Sequence, residues 1–367
     1  MKMLKTCSVC LMPETRPRMT FDERGVCSAC QWHEEKKVLD WSKRESIIKE
    51  LLAQHRGKGV FACLVPVSGG KDSSYVAYVM KERYGLNILT LTIRPDLVID
   101  IGESNLDRFI SNGYENIRLS PNPNAIRKIN KVGFVEQGRP FIGWQMAVQA
   151  AILKIAHLFG IGIIMYGEDG ETEYGGTSEF KDKHVFGFKE IEVLLENNNW
   201  RKYLDFFSET ELFWLKPPSA KEIEESGICY THWSFFENWD SYKHEKLAID
   251  KFGLQGAEGR NIGTYSSFAQ NDTKLYSLHV YLMYLKFGFG RCLQDACIDI
   301  RHGRLTREKG LEFVKLYDHE FPEKHLPDFL EYFSMSKEDF FDVLKKCSNP
   351  ELFRWEGFTP IPLFEIR

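Results

Sequence analysis

The chain has 367 residues, of which 43% are hydrophobic and 27% are charged, and its formal net charge is -4. This composition is typical of a globular protein with room for about two domains, and an acidic balance without a block of like charges disfavours a strong electrostatic surface for nucleic acid. The N-terminus MKMLKTCSVC lacks the apolar core of a signal peptide, and no apolar run reaches membrane-spanning length, so we expect a cytoplasmic protein without a membrane span.

Four of the nine cysteines form two C-x-x-C pairs near the N-terminus, Cys7 with Cys10 and Cys27 with Cys30, separated by sixteen residues. In a cytoplasmic chain such pairs indicate a metal site before disulfides. Four thiolates close the coordination sphere of Zn²⁺, so the spacing predicts a structural zinc ribbon. An iron–sulfur cluster would use the same four ligands and stays an alternative.

A strand, a glycine loop and a helix follow. Residues 41–55 are an amphipathic helix, 60–67 (VFACLVPV) are a buried strand, and a helix is predicted from Ser73 onward. Backbone N–H groups of such a loop and of the helix start form an anion site, which predicts binding of phosphate oxygens. The candidate phosphate-binding residues are Ser68, Gly69, Gly70, Lys71, Asp72, Ser73 and Ser74.

Strands and helices then alternate up to residue 185. Strands are predicted at 87–93, 115–119 and 161–166, and helices at 103–112 and 143–159. This alternation predicts an α/β fold with a doubly wound parallel sheet, in which ligands bind beyond the carboxyl ends of the strands.

That rule adds two loops to the candidate site. Arg94 follows the second strand and is assigned to the nucleotide. Glu168 and Asp169 follow the fourth strand in the acidic segment GEDGETEYGGTSEF. Carboxylates next to a phosphate site suit Mg²⁺, so we expect these two to act catalytically with Lys71 and Asp72.

Beyond residue 185 the alternation stops, and the remaining segments predict a mostly helical region. Helices are predicted at 189–196, 220–226, 242–251, 273–287, 291–302, 306–319 and 323–347. We therefore expect a zinc-ribbon module at 1–40, an ATP-binding core at 41–185 and a helical substrate or partner region at 186–367.

The string SGGKDS does not fit the common phosphate loop G-x-x-x-x-G-K-[ST] but resembles the PP-loop of the N-type ATP pyrophosphatases. Together with the cysteine pairs, GEDGETEYGG, YSSFAQNDTK and KFGFGRCLQDACIDIRHGRLTR, it makes nearly the whole chain resemble the N-acetyl sugar amidotransferase family. That family acts in surface-polysaccharide pathways, such as lipopolysaccharide O-antigen and nonulosonic acid biosynthesis. The resemblance implies the PP-loop ATP pyrophosphatase (adenine nucleotide alpha hydrolase-like) fold.

The resemblance also implies an activity. The enzyme would transfer AMP from ATP to the acetamido oxygen of an N-acetylated, nucleotide-linked sugar, and ammonia would then replace that oxygen to give an acetamidino group. ATP, Mg²⁺ and structural Zn²⁺ are the implied cofactors, and the resemblance assigns the loop residues 68–74 and Arg94 to ATP. Ammonia would come from a separate glutaminase with a cyclase-type barrel subunit resembling imidazole glycerol phosphate synthase, and nucleic acid is not an expected partner.

Candidate substrate residues lie in the later motifs, where arginine forks suit phosphates and carboxylates and surface salt bridges are the competing interpretation. They are Glu173, Tyr174, Gly175, Gly176, Asp272, Lys274, Arg291, Arg301 and Arg304.

Two other functions compete with this interpretation. A tRNA thiolase also combines C-x-x-C pairs with a PP-loop, but the acidic charge and the lack of a basic, aromatic-rich patch disfavour it. A zinc-ribbon nucleotide-binding module without catalysis is the second alternative, which the intact loop residues disfavour.

Overall fold

A computed structural model describes residues 2–195 and 198–367. Its largest sheet has five parallel strands, and two small two-stranded sheets lie outside it. The strands are β1 (Lys2–Met3), β2 (Cys63–Pro66), β3 (Ile88–Ile93), β4 (Asn116–Leu119), β5 (Ile163–Tyr166), β6 (Cys229–His232), β7 (Phe353–Glu356), β8 (Thr359–Pro362) and β9 (Phe364–Glu365).

The α-helices occupy most of the remaining chain, and short helical turns join some of them. They are α1 (Ser28–Lys36), α2 (Trp41–His55), α3 (Lys71–Tyr78), α4 (Asp100–Ser111), α5 (Pro123–Gln137), α6 (Ile142–Leu158), α7 (Gly170–Tyr174), α8 (Phe188–Leu195), α9 (Ala220–Ser226), α10 (Ser241–Phe252), α11 (Lys274–Phe287), α12 (Arg291–Arg301), α13 (Arg307–Tyr317), α14 (Leu326–Phe333) and α15 (Lys337–Cys347).

The order of the main sheet is β4-β3-β2-β5-β6, and all neighbouring pairs are parallel. The chain therefore runs outward from the central strand β2 on one side and returns to build the other side. The direction reverses between β2 and β5. In an open α/β sheet the crevice beyond these two strands is where ligands bind.

Helices cover both faces of the sheet, which confirms the doubly wound architecture. On one face α5 and α6 bury Ile126 and Met146 against Leu91. On the other face α3 and α10 bury Val76 and Ala248. Both faces of the strands are apolar for this reason, and β3 is buried along its whole length.

Both ends of the chain pack against the helical region. β1 pairs with β9, so the two termini are neighbours, and the cysteine hairpin packs its apolar side on Leu293 and Ala296 of α12. A separate aromatic core joins α5 to α11, α14 and α15. The expected helical C-terminal region is thereby confirmed.

Three local expectations differ from the structure. β6 extends the main sheet beyond residue 185. This strand was not predicted, because its sequence CYTH has no apolar run that would indicate a strand. The predicted helix 323–347 is divided at Ser334, whose φ of 48° ends α14. α5 was not predicted. The domain limits stay a prediction, and Glu196 of the predicted helix 189–196 lies outside the described residues.

Among the described residues, no helix is long and apolar enough to cross a bilayer.

Candidate functional site

The loop after β2 is closely packed and needs its glycines. Gly69 has a φ of +81°, and a Cβ there would lie 2.5 Å from the backbone nitrogen of Leu106. Ser73 closes the loop, since its hydroxyl accepts from the Ser68 amide and donates to the Gly70 carbonyl, both at 3.3 Å. The start of α3 therefore points its free N–H groups into the space beyond the loop, an arrangement that binds anions.

Asp72 lies in the first turn of α3, and its carboxylate has two partners. Its carboxylate accepts from Lys71 Nζ at 2.7 Å, and its other oxygen lies 2.8 Å from Nδ1 of His244 in α10. Burial alone would raise the pKa of Asp72, but the charges and hydrogen bonds of Lys71 and His244 lower it to about 2. Asp72 is thus ionised and held in one orientation. His244 is 1% exposed and stacks on Tyr75.

Glu168 faces the same space from the end of β5. Burial raises its pKa to about 7, the nearby Asp72 carboxylate adds to the shift, and Tyr174 donates to it at 3.2 Å. Asp169 does something different, because its carboxylate accepts from the Glu171 amide and the Thr172 hydroxyl and so caps α7. The segment expected to be a loop therefore contains a short helix.

Glu173 points away from the nucleotide loop and into the ribbon. It accepts from Trp32 Nε1 at 2.9 Å and pairs with Lys36 at 2.7 Å, and both charged side chains of that pair are nearly inaccessible. Gly175 has a φ of +83°, and a Cβ there would lie 2.6 Å from Met19. These residues join α7 to the ribbon rather than facing a sugar.

Gly176 is equally constrained. A Cβ at this position would collide with the Glu171 carboxylate, which accepts from the Thr177 amide at 2.9 Å. The glycine pair is therefore explained by close packing.

One cavity of about 720 Å³ extends from the glycine loop to the ribbon and the helical region. Its volume is within the range of about 300–1,000 Å³ that is usual for ligand sites. The predicted residues that line it are Ser68, Gly69, Gly70, Lys71, Asp72, Ser73, Glu168, Tyr174, Asp272, Arg291 and Arg301.

Other predicted residues are held elsewhere. Ser74 is buried in α3. Arg94 is half exposed, with its Nε 3.7 Å from Glu103. Lys274 pairs with Asp328 at 2.7 Å. None of these side chains is among those lining the cavity.

The distal arginines differ in their partners. Arg291 donates to Asp295 at 2.8 Å. Arg304, which is not in the cavity lining, pairs with Asp240 and with Asp299, which is. Arg301, by contrast, lines the cavity and has a buried Nη1 without a hydrogen-bond partner in the described chain.

Asp272 lies at the nucleotide loop. Burial raises its pKa to about 6, although a hydrogen bond with Ser68 and the charge of Lys71 act in the opposite direction.

The four cysteines form a cluster that can hold a metal ion. The sulfur atoms of Cys7, Cys10, Cys27 and Cys30 all lie within 4.8 Å of one another and are buried. The backbone amides of Val9 and Cys27 donate to Cys7, and the amide of Met12 donates to Cys10. Four sulfur donors with amide hydrogen bonds fit a zinc tetrathiolate.

Sequence reasoning missed two residues of the site, His244 behind Asp72 and Arg16 in the cavity lining. His244 sits in an amphipathic helix with no motif around it, so no sequence signal marks it. Arg16 lines the cavity from the hairpin between the cysteine pairs. Its position within the ribbon was visible in the sequence, but the docking of the ribbon on α12 was not.

The parallel sheet, with the SGGKDS loop after its central strand, is the arrangement expected of a PP-loop protein. Residues 262–364 match the family model described as LPS biosynthesis protein WbpG-like, C-terminal domain. This match covers only the C-terminal part of the chain, and there it agrees with the surface-polysaccharide family recognised from the sequence. No curated protein matches the chain.

Three solved structures show distant similarity. An NH3-dependent NAD synthetase from Campylobacter jejuni is 15% identical, with 52% of this chain and 95% of that chain covered and a TM-score of 0.27. The U34-tRNA thiolase NcsA from Methanococcus maripaludis, with its [4Fe-4S] cluster, is 9% identical, with 94% and 86% covered and a TM-score of 0.33. An NAD+ synthetase from Burkholderia pseudomallei is 17% identical, with 64% and 88% covered and a TM-score of 0.26.

Proposed function

We propose that the protein is an ATP-dependent N-acetyl sugar amidotransferase of cytoplasmic surface-polysaccharide biosynthesis. The acetamido oxygen of a nucleotide-linked sugar attacks the α-phosphorus of ATP, and pyrophosphate leaves. Ammonia then adds to the activated carbon, and AMP departs with the former amide oxygen. The product carries an acetamidino group.

The observation that carries this proposal is the shared cavity. The PP-loop, the end of β5 and the WbpG-like region all line one space, so a nucleotide and a second substrate can meet there. The first step is a displacement at phosphorus, for which positioning and charge neutralisation supply most of the catalysis.

Each residue at the nucleotide end has a role suited to its environment. The free backbone amides at the start of α3 donate to phosphate oxygens, while the Ser73 hydroxyl holds the loop closed. Lys71 offsets the charge that builds on the departing pyrophosphate. Asp72 orients Lys71 through their ion pair.

Glu168 and Asp272 suit Mg²⁺. Both line the cavity, and burial raises the pKa of Glu168 to about 7 and that of Asp272 to about 6. Both pKa values stay raised because the protein does not fully neutralise either carboxylate. Glu168 and Asp272 would hold a divalent cation, which would supply the missing positive charge next to the phosphates. Asp169, committed to capping α7, is the weaker ligand candidate.

A tRNA thiolase is the main competing function. Among the described residues that line the cavity there is no cysteine to carry sulfur, and the four ribbon thiols are buried. These observations support the amidotransferase over the thiolase. Salt-sensitive binding of bulk tRNA would favour the thiolase instead.

Mass spectrometry of reactions containing ATP, ammonium and a panel of N-acetylated nucleotide sugars tests the proposal. We expect a product lighter by about one dalton, since NH replaces oxygen, together with AMP and pyrophosphate. Lys71→Ala should abolish the product, whereas Lys49→Ala, which changes an exposed lysine of α2, should not. Saturable ATP binding without substrate-dependent pyrophosphate release would support the non-catalytic module.

The ammonia source is tested separately. We expect ammonium to support turnover by the purified chain alone, and glutamine to support it only with a glutaminase and its barrel-type partner. Glutamine-dependent product from the purified chain would refute this part of the proposal.

A further inference from the structure

Two arginines line the cavity without a carboxylate partner among the described residues. Arg16 comes from the ribbon hairpin, and Arg301 is the last residue of α12. Arg16 Nε and Arg301 Nη1 are buried, and neither has a hydrogen-bond partner in residues 2–195 and 198–367. A buried guanidinium N–H without an acceptor carries an uncompensated desolvation cost. A ligand with negative charge would remove that cost.

The nearby carboxylates are already committed. Glu171, whose charge acts on Arg16, forms an ion pair with Arg18 and accepts from the Thr177 amide. Asp299, which also lines the cavity, accepts from the hydroxyls of Tyr242 and Tyr265. Neither carboxylate turns to the free arginine nitrogens.

The metal centre explains part of this arrangement but not all of it. A zinc tetrathiolate is negatively charged, and the charge of Arg301 interacts with Cys10 and Cys30. Arg16 interacts most strongly with Glu171 among its charged neighbours, so charge balance at the metal does not account for it. Two cations on one cavity wall point to a ligand inside the cavity.

We propose that Arg16 and Arg301 form the anion subsite of the sugar substrate. The two arginines then bind a phosphate or a carboxylate of the nucleotide-linked N-acetyl sugar. Its anionic group binds between the ribbon and α12, and its acetamido group extends toward Lys71. This inference rests on the proposed function, and it makes the ribbon part of the substrate site.

Isothermal titration of the zinc-loaded, full-length protein tests the subsite. The probes are UDP-N-acetylglucosamine for phosphate, N-acetylneuraminic acid for carboxylate, and N-acetylglucosamine as the neutral sugar. We expect at least one charged probe to bind better than the neutral sugar. Arg16→Ala and Arg301→Ala should each weaken that probe about tenfold or more, and Arg16→Lys should restore part of the affinity.

Affinity for ATP and zinc content should stay unchanged in both alanine variants. Arg24→Ala is the matched control, because this ribbon arginine is paired with Asp22 and Glu34 on the outer surface. Loss of zinc, an equal loss of ATP affinity, or equal binding of neutral and charged sugars would overturn the subsite, as would no binding of either charged probe.

The two proposals can fail separately. Arginine-dependent probe binding without amidine formation would leave the subsite in place and refute the reaction. Amidine formation that is unaffected by Arg16→Ala would refute the subsite alone.

Discussion

At the scale of single residues, the site depends on partners that are far away in sequence. Asp72 belongs to the loop motif, yet its orientation comes from His244, 172 positions away. His244 does not line the cavity, so it is a positioning residue that acts through Asp72 and Lys71.

Replacing His244 tests this role. His244→Ala should lower kcat several-fold to tenfold, because a buried carboxylate loses one of its donors at a cost of about 1–3 kcal/mol. His244→Asn places an amide N–H near the position of Nδ1 and should recover part of the rate. A purely structural role would instead lower the melting temperature equally in both variants and leave kcat of the folded fraction unchanged.

Glu168 should make magnesium–ATP binding depend on pH. Its folded-state pKa of about 7 lies above the ordinary 4.5, so the ligating, ionised form accumulates only as the pH rises through 7. We expect affinity for Mg²⁺·ATP to rise about tenfold between pH 6 and pH 8, and Glu168→Gln to bind weakly with no such slope. Titration at fixed ionic strength measures both.

The raised pKa of Glu168 has the opposite effect on the stability of the ligand-free protein, which falls as the pH rises. In the ligand-free protein the contribution of protonated Glu168 is complete below its unfolded pKa of 4.5 and is lost as the pH rises through about 7. Thermal unfolding of the wild type and Glu168→Gln should therefore diverge at high pH, where the variant is relatively more stable.

At the scale of elements, the helix α7 connects the ribbon to the sheet. Glu173 reaches Trp32 and Lys36 of α1, and Gly175 contacts the hairpin closely. The carboxylates of this segment thus have three different positions: Glu168 faces the cavity, Asp169 caps α7 and Glu173 contacts the ribbon.

Gly175→Ala should weaken the packing of α7 against the ribbon. The new Cβ would lie 2.6 Å from Met19 and 3.1 Å from Ala29, in addition to the strain of a positive φ. Gly227→Ala is the matched control, since its φ is +59° and its Cβ would meet nothing within 4 Å. We expect Gly175→Ala to reduce the free energy of unfolding by about 1–3 kcal/mol more than Gly227→Ala. Equal losses in denaturant titrations would contradict the packing role.

At the scale of the whole molecule, the three regions depend on one another. The ribbon packs on α12, the two chain ends pair through β1 and β9, and all regions contribute to one cavity. The ribbon is therefore part of the folded body rather than an appendage.

Metal removal should affect the whole protein. The cysteine hairpin has little apolar content of its own, so its fold depends on the metal, and its loss exposes the face of α12 beneath it. We expect a chelator or Cys10→Ser to lower the melting temperature by at least about 5 °C and to weaken charged-sugar binding more than ATP binding. Cys229→Ser, which changes a thiol outside the cluster, should do neither, as calorimetry with metal analysis can show.

The sequence determined the features that are local. The apolar strand and the glycine loop determined the PP-loop after β2, the alternation of strands and helices determined the parallel sheet, and the cysteine spacing determined the four-cysteine cluster, because each depends on contiguous residues and backbone geometry. Side-chain partners are long-range. Tertiary packing placed Glu173 against α1, Arg304 on Asp299, and Arg16 beside Arg301. Neighbours of this kind depend on how elements dock, which no local pattern encodes.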